Sequence, residues 1–203
     1  MTAGTDTDTA FPAVIVLAGG TSRRFGSDKL EYLLPVVLAS LPSGWPVVCV
    51  GPERRDLVPP DRDVSWTREE PPFAGPLAAV AAGIRTIVDL RPEVRLVAVV
   101  AADMPRVGSA LPALVTLVTQ PEQAGAATLD GACLVDEGDR RQPLAGVYRA
   151  EHLAALLHQD VEDRPARALF EGARIGVITD PDAAQDIDTQ AELNAYRSLG
   201  DRP

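Results

Sequence analysis

Three short apolar runs with almost no polar alternation constrain this 203-residue chain more than any other feature. They are Ala13–Leu17, Val47–Val50 and Leu96–Ala101. A strand with one wet face alternates. A short run that does not alternate predicts a strand buried on both faces, the condition of a parallel sheet under helices. Residues 64–66 are a weaker candidate of the same kind. Between the runs the periodicity changes. Leu77, Val80, Ala81, Ile84, Ile87 and Val88 recur at about 3.6 residues, and Pro76 lies in the first turn, where its missing N–H is harmless. Leu111, Leu114, Val115 and Val118 form a second helical stripe. Strand and helix alternate, so the chain is expected to be α/β, with a three-layer, mostly parallel, Rossmann-like sheet and helices on both faces.

The second half reads differently. Residues 127–129 and 133–135 look like short strands, and the polar turn over 136–139 leads into a strand over 144–148, which predicts a β-hairpin extension. Helices are expected over 151–159 and 164–171, a strand over 174–178, and a closing helix over 189–199 capped near Thr189. An apolar content of 46% suits one domain over 12–203. A polar, disordered lead-in over 1–11 precedes it. That lead-in has no basic start and no long apolar stretch, so it does not read as a signal peptide. The apolar runs are far too short to span a membrane. Cys49 and Cys133 stand in apolar surroundings and read as reduced core thiols of a cytoplasmic protein. The net charge of −10 argues against nucleic acid as a partner. It leaves room for a small phosphate ligand, which needs only a local basic cluster.

Such a cluster follows the first strand. Lys29 is the only lysine of the chain, and it closes the run L-A-G-G-T-S-R-R-F-G-S-D-K over 17–29, beside Arg23 and Arg24. Lysine is a compact point charge where arginine is a planar fork, so the single lysine suggests a charge meant for a phosphate. Gly19 and Gly20 lie just past the strand's carboxyl end, where ligands of open α/β sheets bind. Glycines there let main-chain N–H groups approach an anion. The run is not a P-loop, because no glycine directly precedes the lysine and no Ser or Thr follows it. Nor is it a G-x-G-x-x-G fingerprint. Read without its context, the glycine pair is also simply a tight turn.

As a whole the run resembles the L-A-G-G-x-S-x-R-M-G-x-D-K signature of the nucleotidyltransferases related to the molybdenum cofactor guanylyltransferase, the MobA family, and the likeness continues across nearly the whole chain. In that family the loop wraps a nucleoside triphosphate. This implies base and ribose contacts from the main chain of Leu17, Ala18, Gly19 and Gly20, and phosphate contacts from Arg24 and Lys29. The stretch E-E-P-P-F-A-G-P-L over 69–77 resembles the family's acidic residue followed by G-P-L-x-G, which implies that Glu69, Gly75 and Pro76 flank the nucleobase or sugar. By its residues alone it is a proline-rich loop that starts a helix.

The stretch A-A-D-M-P over 101–105 puts a carboxylate at a strand's carboxyl end. It can hold Mg²⁺ beside a triphosphate or cap the following helix. The family's Asp here is its magnesium ligand, which assigns that role to Asp103. R-R-Q-P-L-A-G-V-Y over 140–148 resembles R-x-Q-P-L-x-x-x-Y on the acceptor side. The likeness implies that Arg140 and Gln142 meet the acceptor, with Arg167 at a basic position nearby; the residues also describe a plain hairpin with a charged tip. D-I-D-T over 186–189 matches D-I-D-T or N-V-N-T. Alternation puts Asp186 and Asp188 on one side with Ile187 toward the core. Asp188 is then a second magnesium ligand, or part of an acidic run ahead of a helix. His152 and His158 are not spaced as a ligand pair and read as surface or boundary residues.

The resemblance therefore implies an enzyme that moves GMP from GTP to the phosphate of a molybdopterin-type molybdenum cofactor and releases pyrophosphate. Its cofactor would be Mg²⁺, and its catalytic residues Lys29, Arg24 and Asp103. Related alternatives use CTP on the same acceptor, or a sugar or polyol phosphate as acceptor. A nucleotide-binding domain without turnover is the alternative of another class. A monomer or weak oligomer in transient contact with cofactor-handling proteins is expected. The chain departs from the pattern at Phe25 (usually Met), Glu69 (usually Asp) and Ala79 (usually Gly). Residues 30–40 are shorter than the family's strand, Gly-x-Pro-Leu turn and helix, so a truncated or differently started helix is expected there.

Overall fold

A computed structural model describes residues 11–19, 29–120 and 128–200. The lead-in over 1–10 and the loop segment over 20–28, with Gly20, Arg23, Arg24 and Phe25, lie outside the described residues.

Among the described residues seven strands form one sheet: β1 Ala13–Leu17, β2 Val47–Val50, β3 Val64–Thr67, β4 Leu96–Ala101, β5 Gly131–Val135, β6 Arg141–Arg149 and β7 Ile175–Thr179. Their order is β3-β2-β1-β4-β6-β5-β7. Only β6 runs against the others, pairing antiparallel with both β4 and β5. The three apolar runs of the sequence are the central strands β2, β1 and β4, buried throughout except at Ala101. Successive strand residues face opposite sides, and the two cores show it. Val14, Val16, Cys49, Ala98 and Val100 pack under α1 (Leu30–Ser40) and α3 (Leu111–Thr119). Ala13, Ile15, Leu17, Val48, Val97 and Val99 pack under α2 (Pro76–Leu90) and α4 (Ala150–Ala154). Each fully buried Leu or Ile in these layers contributes about 1.5–3 kcal/mol of transfer free energy. Burial pushes the Cys49 thiol up to about 12 and the Cys133 thiol up to about 11, so both are inert core residues. Among the described residues no helix is long and apolar enough to cross a membrane.

Several expectations change in detail. The hairpin exists, with Asp136 N–H donating to the Arg140 carbonyl at 3.1 Å, but it is built into the sheet: β6 slots between β4 and β5. The register jumps from Cys133 opposite Gly146 to Leu134 opposite Gln142. Pro143 stands in the gap, as an interior strand proline must. Its carbonyl accepts the buried Tyr148 hydroxyl at 2.7 Å. Residues 128–129 are not strand, and residue 127 lies outside the described residues. β5 starts only after Asp130, which is held across to Arg174 by main-chain and side-chain hydrogen bonds.

The helix expected over 151–159 is α4 followed by a 3₁₀ turn, Ala155–His158. That expected over 164–171 is a single 3₁₀ turn, Ala166–Phe170. The chain ahead of that turn is committed elsewhere: Asp163 N–H donates to the Ala74 carbonyl and the Arg164 carbonyl accepts Leu77 N–H. Val88, read as part of the apolar stripe of α2, faces solvent. Residues 30–40 form a complete first helix despite Pro35 within it. α1 starts directly after Lys29, with Leu33 N–H bonded to the Lys29 carbonyl at 3.0 Å, and buries Leu30, Leu33, Leu34, Val37 and Leu38. The last helix, α5 (Gln190–Gly200), rests on α1 through Leu33, Ile187 and Leu193, flanked by Tyr32 and Tyr196.

Candidate active site

Because β3, β2, β1 and β4 are parallel, their carboxyl ends share one edge of the sheet. β1 is the oldest strand in chain order and lies between β2 and β4, so the chain leaves it to both sides. That makes the β1/β4 edge the switch point at which such sheets bind ligands. The end of β1 is clamped there: Ala18 N–H donates to the Val50 carbonyl at 2.9 Å and Ala102 N–H to the Leu17 carbonyl at 3.1 Å. Gly19 emerges exposed.

Gly51, just past β2, supports this exit from below. Its φ is +147°, and a Cβ there would lie 2.7 Å from the Ala18 carbonyl oxygen and 2.8 Å from Gly19 N. Sequence reasoning missed it. The signal was available, since a glycine directly after a buried run stands level with the glycines after β1.

Three segments meet beyond this edge. Lys29 Nζ donates to Asp103 Oδ2 at 2.9 Å, to the Ile187 carbonyl at 2.9 Å and to Asp188 Oδ1 at 3.2 Å. Lys29 comes from the start of α1, Asp103 from the turn after β4, and Asp188 from the approach to α5. The segment of Asp188 is fixed from two sides. Ile187 N–H donates to the Asp103 carbonyl at 3.0 Å, and its side chain is buried against α1. Downstream, Glu192 Oε2 accepts the Asp188 and Thr189 N–H groups, both at 2.8 Å, while Glu192 N–H donates to Thr189 Oγ1 at 3.2 Å. This reciprocal capping box starts α5. It also shows that an acidic helix start and a site carboxylate are compatible roles for this run.

The electrostatics follow from the packing. Burial pushes the Lys29 pKa down, but the charge and hydrogen bond of Asp103, with those of Asp188, outweigh it and hold the ammonium above its ordinary value. Asp186 is pushed up, by burial first and then by the charges of Asp188 and Asp103. Two carboxylates from different segments thus already face one cationic nitrogen. That donor set suits an ion held by one or two carboxylates and completed by phosphate oxygens. Among the described residues no group of three His, Cys, Asp or Glu side chains is arranged to hold a metal by itself.

The other expected residues lie as follows. Glu69 is only 8% exposed. Its Oε1 accepts Phe73 N–H at 2.9 Å, and its buried Oε2 has no hydrogen-bond partner among the described residues. The carboxylate thus folds its own loop, in which Phe73 takes a φ of +68°. Gly75 has a φ of +91° and leads into Pro76 at the start of α2, with the main chain of Asp163 and Arg164 against it. Arg140 Nε and Gln142 Nε2 both donate to Asp136 Oδ2 at 2.8 Å, so the hairpin turn engages both. Hydrogen bonds from Arg140 and its neighbours hold the Asp136 carboxyl below its ordinary value. Arg167 is exposed on its 3₁₀ turn. The structure therefore brings Lys29, Asp103 and Asp188 together, adds the Ile187 carbonyl and Asp186, and leaves Arg140, Gln142 and Arg167 outside their described contacts. The Ile187 carbonyl was beyond sequence reasoning, because any residue supplies one. His152 Nε2 lies 2.9 Å from the Leu169 carbonyl and His158 is exposed, so neither joins the site.

The chain is 29% identical over 204 residues to the "Probable molybdenum cofactor guanylyltransferase" of Mycobacterium ulcerans, covering 95% of this chain and 96% of that one. It is 32% identical over 153 residues to the protein of the same name from Mycobacterium bovis, covering 71% of each. The crystal structure of molybdopterin-guanine dinucleotide biosynthesis protein A from Archaeoglobus fulgidus superposes with a TM-score of 0.61 at 19% identity, over 93% of this chain and 98% of that one, a likeness of fold. Residues 14–177 match the MobA-like NTP transferase domain, and the chain is a member of that family, a nucleotidyltransferase on a mostly parallel α/β sheet.

Proposed function

We propose that this protein transfers GMP from GTP to the terminal phosphate of a molybdopterin-type molybdenum cofactor. The convergence of Lys29, Asp103 and Asp188 at the switch point carries the reading, and the names of the mycobacterial relatives support the choice of guanine and acceptor. An oxygen of the acceptor phosphate attacks the α-phosphorus of GTP. The bond from that phosphorus to the bridging oxygen breaks, and pyrophosphate leaves with the bonding pair. The attacking oxygen is already anionic, so no side chain has to remove a proton. The barrier is the approach of two anions and the charge that builds on the phosphoryl oxygens.

Mg²⁺ held by Asp103 and Asp188 would neutralise part of that charge. Lys29 supplies a positive charge on the leaving side, and Arg24 shares that role in this reading. The main chain over 17–20 holds base and ribose. Arg140, Gln142 and Arg167 belong to the acceptor side, where Arg140 and Gln142 would exchange Asp136 for the acceptor.

Thermal stability in the presence of GTP, CTP or UTP, each with and without Mg²⁺, tests the nucleotide. A ligand at about 100 times its Kd adds about 2.7 kcal/mol, or about 5–10 °C for a chain of this size. The expected result is a shift with GTP that depends on Mg²⁺. A shift with CTP alone reassigns the base, and no shift with any nucleotide ends the proposal. Pyrophosphate release on adding the molybdenum-loaded cofactor then separates transfer from binding.

Gly51→Ala tests the loop end of the site. The added methyl meets main chain at Ala18 and Gly19 in a backbone conformation that disfavours side chains. A loss of about 1–3 kcal/mol is expected, together with a smaller GTP shift than wild type. Unchanged melting and an unchanged GTP shift would show that Gly51 does not support the loop.

A further inference from the structure

Lys29 occupies a position that a divalent cation would also claim. Its ammonium is surrounded by two carboxylate oxygens and a main-chain carbonyl oxygen, all within 3.2 Å. Its side chain is 13% exposed. Such an all-oxygen environment suits a hard cation, and here an ammonium fills it. A second cation cannot approach Asp103 and Asp188 while this one stays, because two positive charges a few ångströms apart in a half-buried site repel strongly. A purely structural ion pair does not call for lysine. The chain uses arginine at every other cationic position apart from its two histidines, and arginine's fork holds carboxylates more firmly. A single compact ammonium on a flexible stem is suited to leave.

We propose, resting on the nucleotidyl-transfer reading above, that Lys29 is the resting counter-ion of the metal site and keeps free Mg²⁺ out. A triphosphate reverses this. It offers Lys29 a more highly charged partner and brings its own divalent ion, which takes the two carboxylates as the ammonium departs. The site therefore accepts the metal–nucleotide complex and discriminates against the bare cation.

The test uses metal alone, with no nucleotide. Mn²⁺ binding is followed by electron paramagnetic resonance in the wild type, in Lys29→Met and in Lys29→Met combined with Asp188→Asn. The single variant should bind Mn²⁺ roughly tenfold or more tightly than wild type, and the second substitution should cancel the gain. Because Lys29 is the only lysine, lysine labelled at Cε and Nζ gives one side-chain resonance. In the wild type Mg²⁺ alone should leave that resonance in place. Equal Mn²⁺ affinity in wild type and Lys29→Met, or a lysine resonance that moves with Mg²⁺ alone, overturns the proposal. If the variant does not fold, the wild-type resonance decides. A failure of GTP to bind would strike the functional reading instead and leave these metal-only results interpretable.

Discussion

Lys29→Ala should lower turnover about 10²- to 10³-fold while the sheet stays intact, because it removes a charge placed on the leaving group. The side chain touches Asp103, Asp188 and the Ile187 carbonyl, while α1 is held by Leu33, Leu34, Val37 and Leu38, which are fully buried. The fold therefore survives, at a cost that depends on pH. The folded Lys29 pKa lies above its ordinary 10.5. Its contribution to stability is fully present below 10.5 and disappears as pH rises through the folded value. The variant should thus melt below the wild type at neutral pH, and the gap should close above that range. Pyrophosphate release and melting curves across pH measure both effects. Wild-type turnover in the variant would remove Lys29 from the chemistry.

Much of this architecture was written in the apolar pattern. β1, β2 and β4 are buried on both faces, so their runs carry no polar interruption, and the stripe of α2 follows from one face packing on those strands. The reversal of β6 against β5 was readable from the polar turn over 136–139, but its insertion between β4 and β5 was not, because a strand's place in the sheet depends on which neighbours it pairs with, and the bulge around Pro143 masks its full extent. The turn over Ala166–Phe170 looked helical because local pattern carries no record of the hydrogen bonds that commit Asp163 and Arg164 to the start of α2. At the site, Lys29, Asp103 and Asp188 were visible as separate motifs. Their direct contact was not, and the reading that set Lys29 against phosphate alone missed that it first meets the two carboxylates. Arg140 and Gln142 were legible as charge and amide at a hairpin tip. That Asp136 would bind both is a matter of turn geometry, which composition does not encode.

Asp103→Asn should cost a comparable factor, about 10²- to 10³-fold in turnover, but with the opposite signature in binding. The amide keeps an oxygen that can accept from Lys29 Nζ, and Lys29 retains Asp188 and the Ile187 carbonyl. The Asp103 main-chain carbonyl still receives Ile187 N–H, so the approach to α5 keeps its anchor and the variant should fold. What it loses is the negative charge nearest the β1/β4 edge. GTP should then stabilise Asp103→Asn equally with and without Mg²⁺, whereas Lys29→Ala should keep a Mg²⁺-dependent shift despite its poor turnover. The crossed pattern assigns metal to Asp103 and phosphate charge to Lys29, because a generally damaged site would weaken both responses in both variants. If Asp103→Asn retained wild-type turnover and a Mg²⁺-dependent shift, Asp103 would not be a metal ligand. Its bond to Lys29 would then serve only to join α1, β4 and the start of α5.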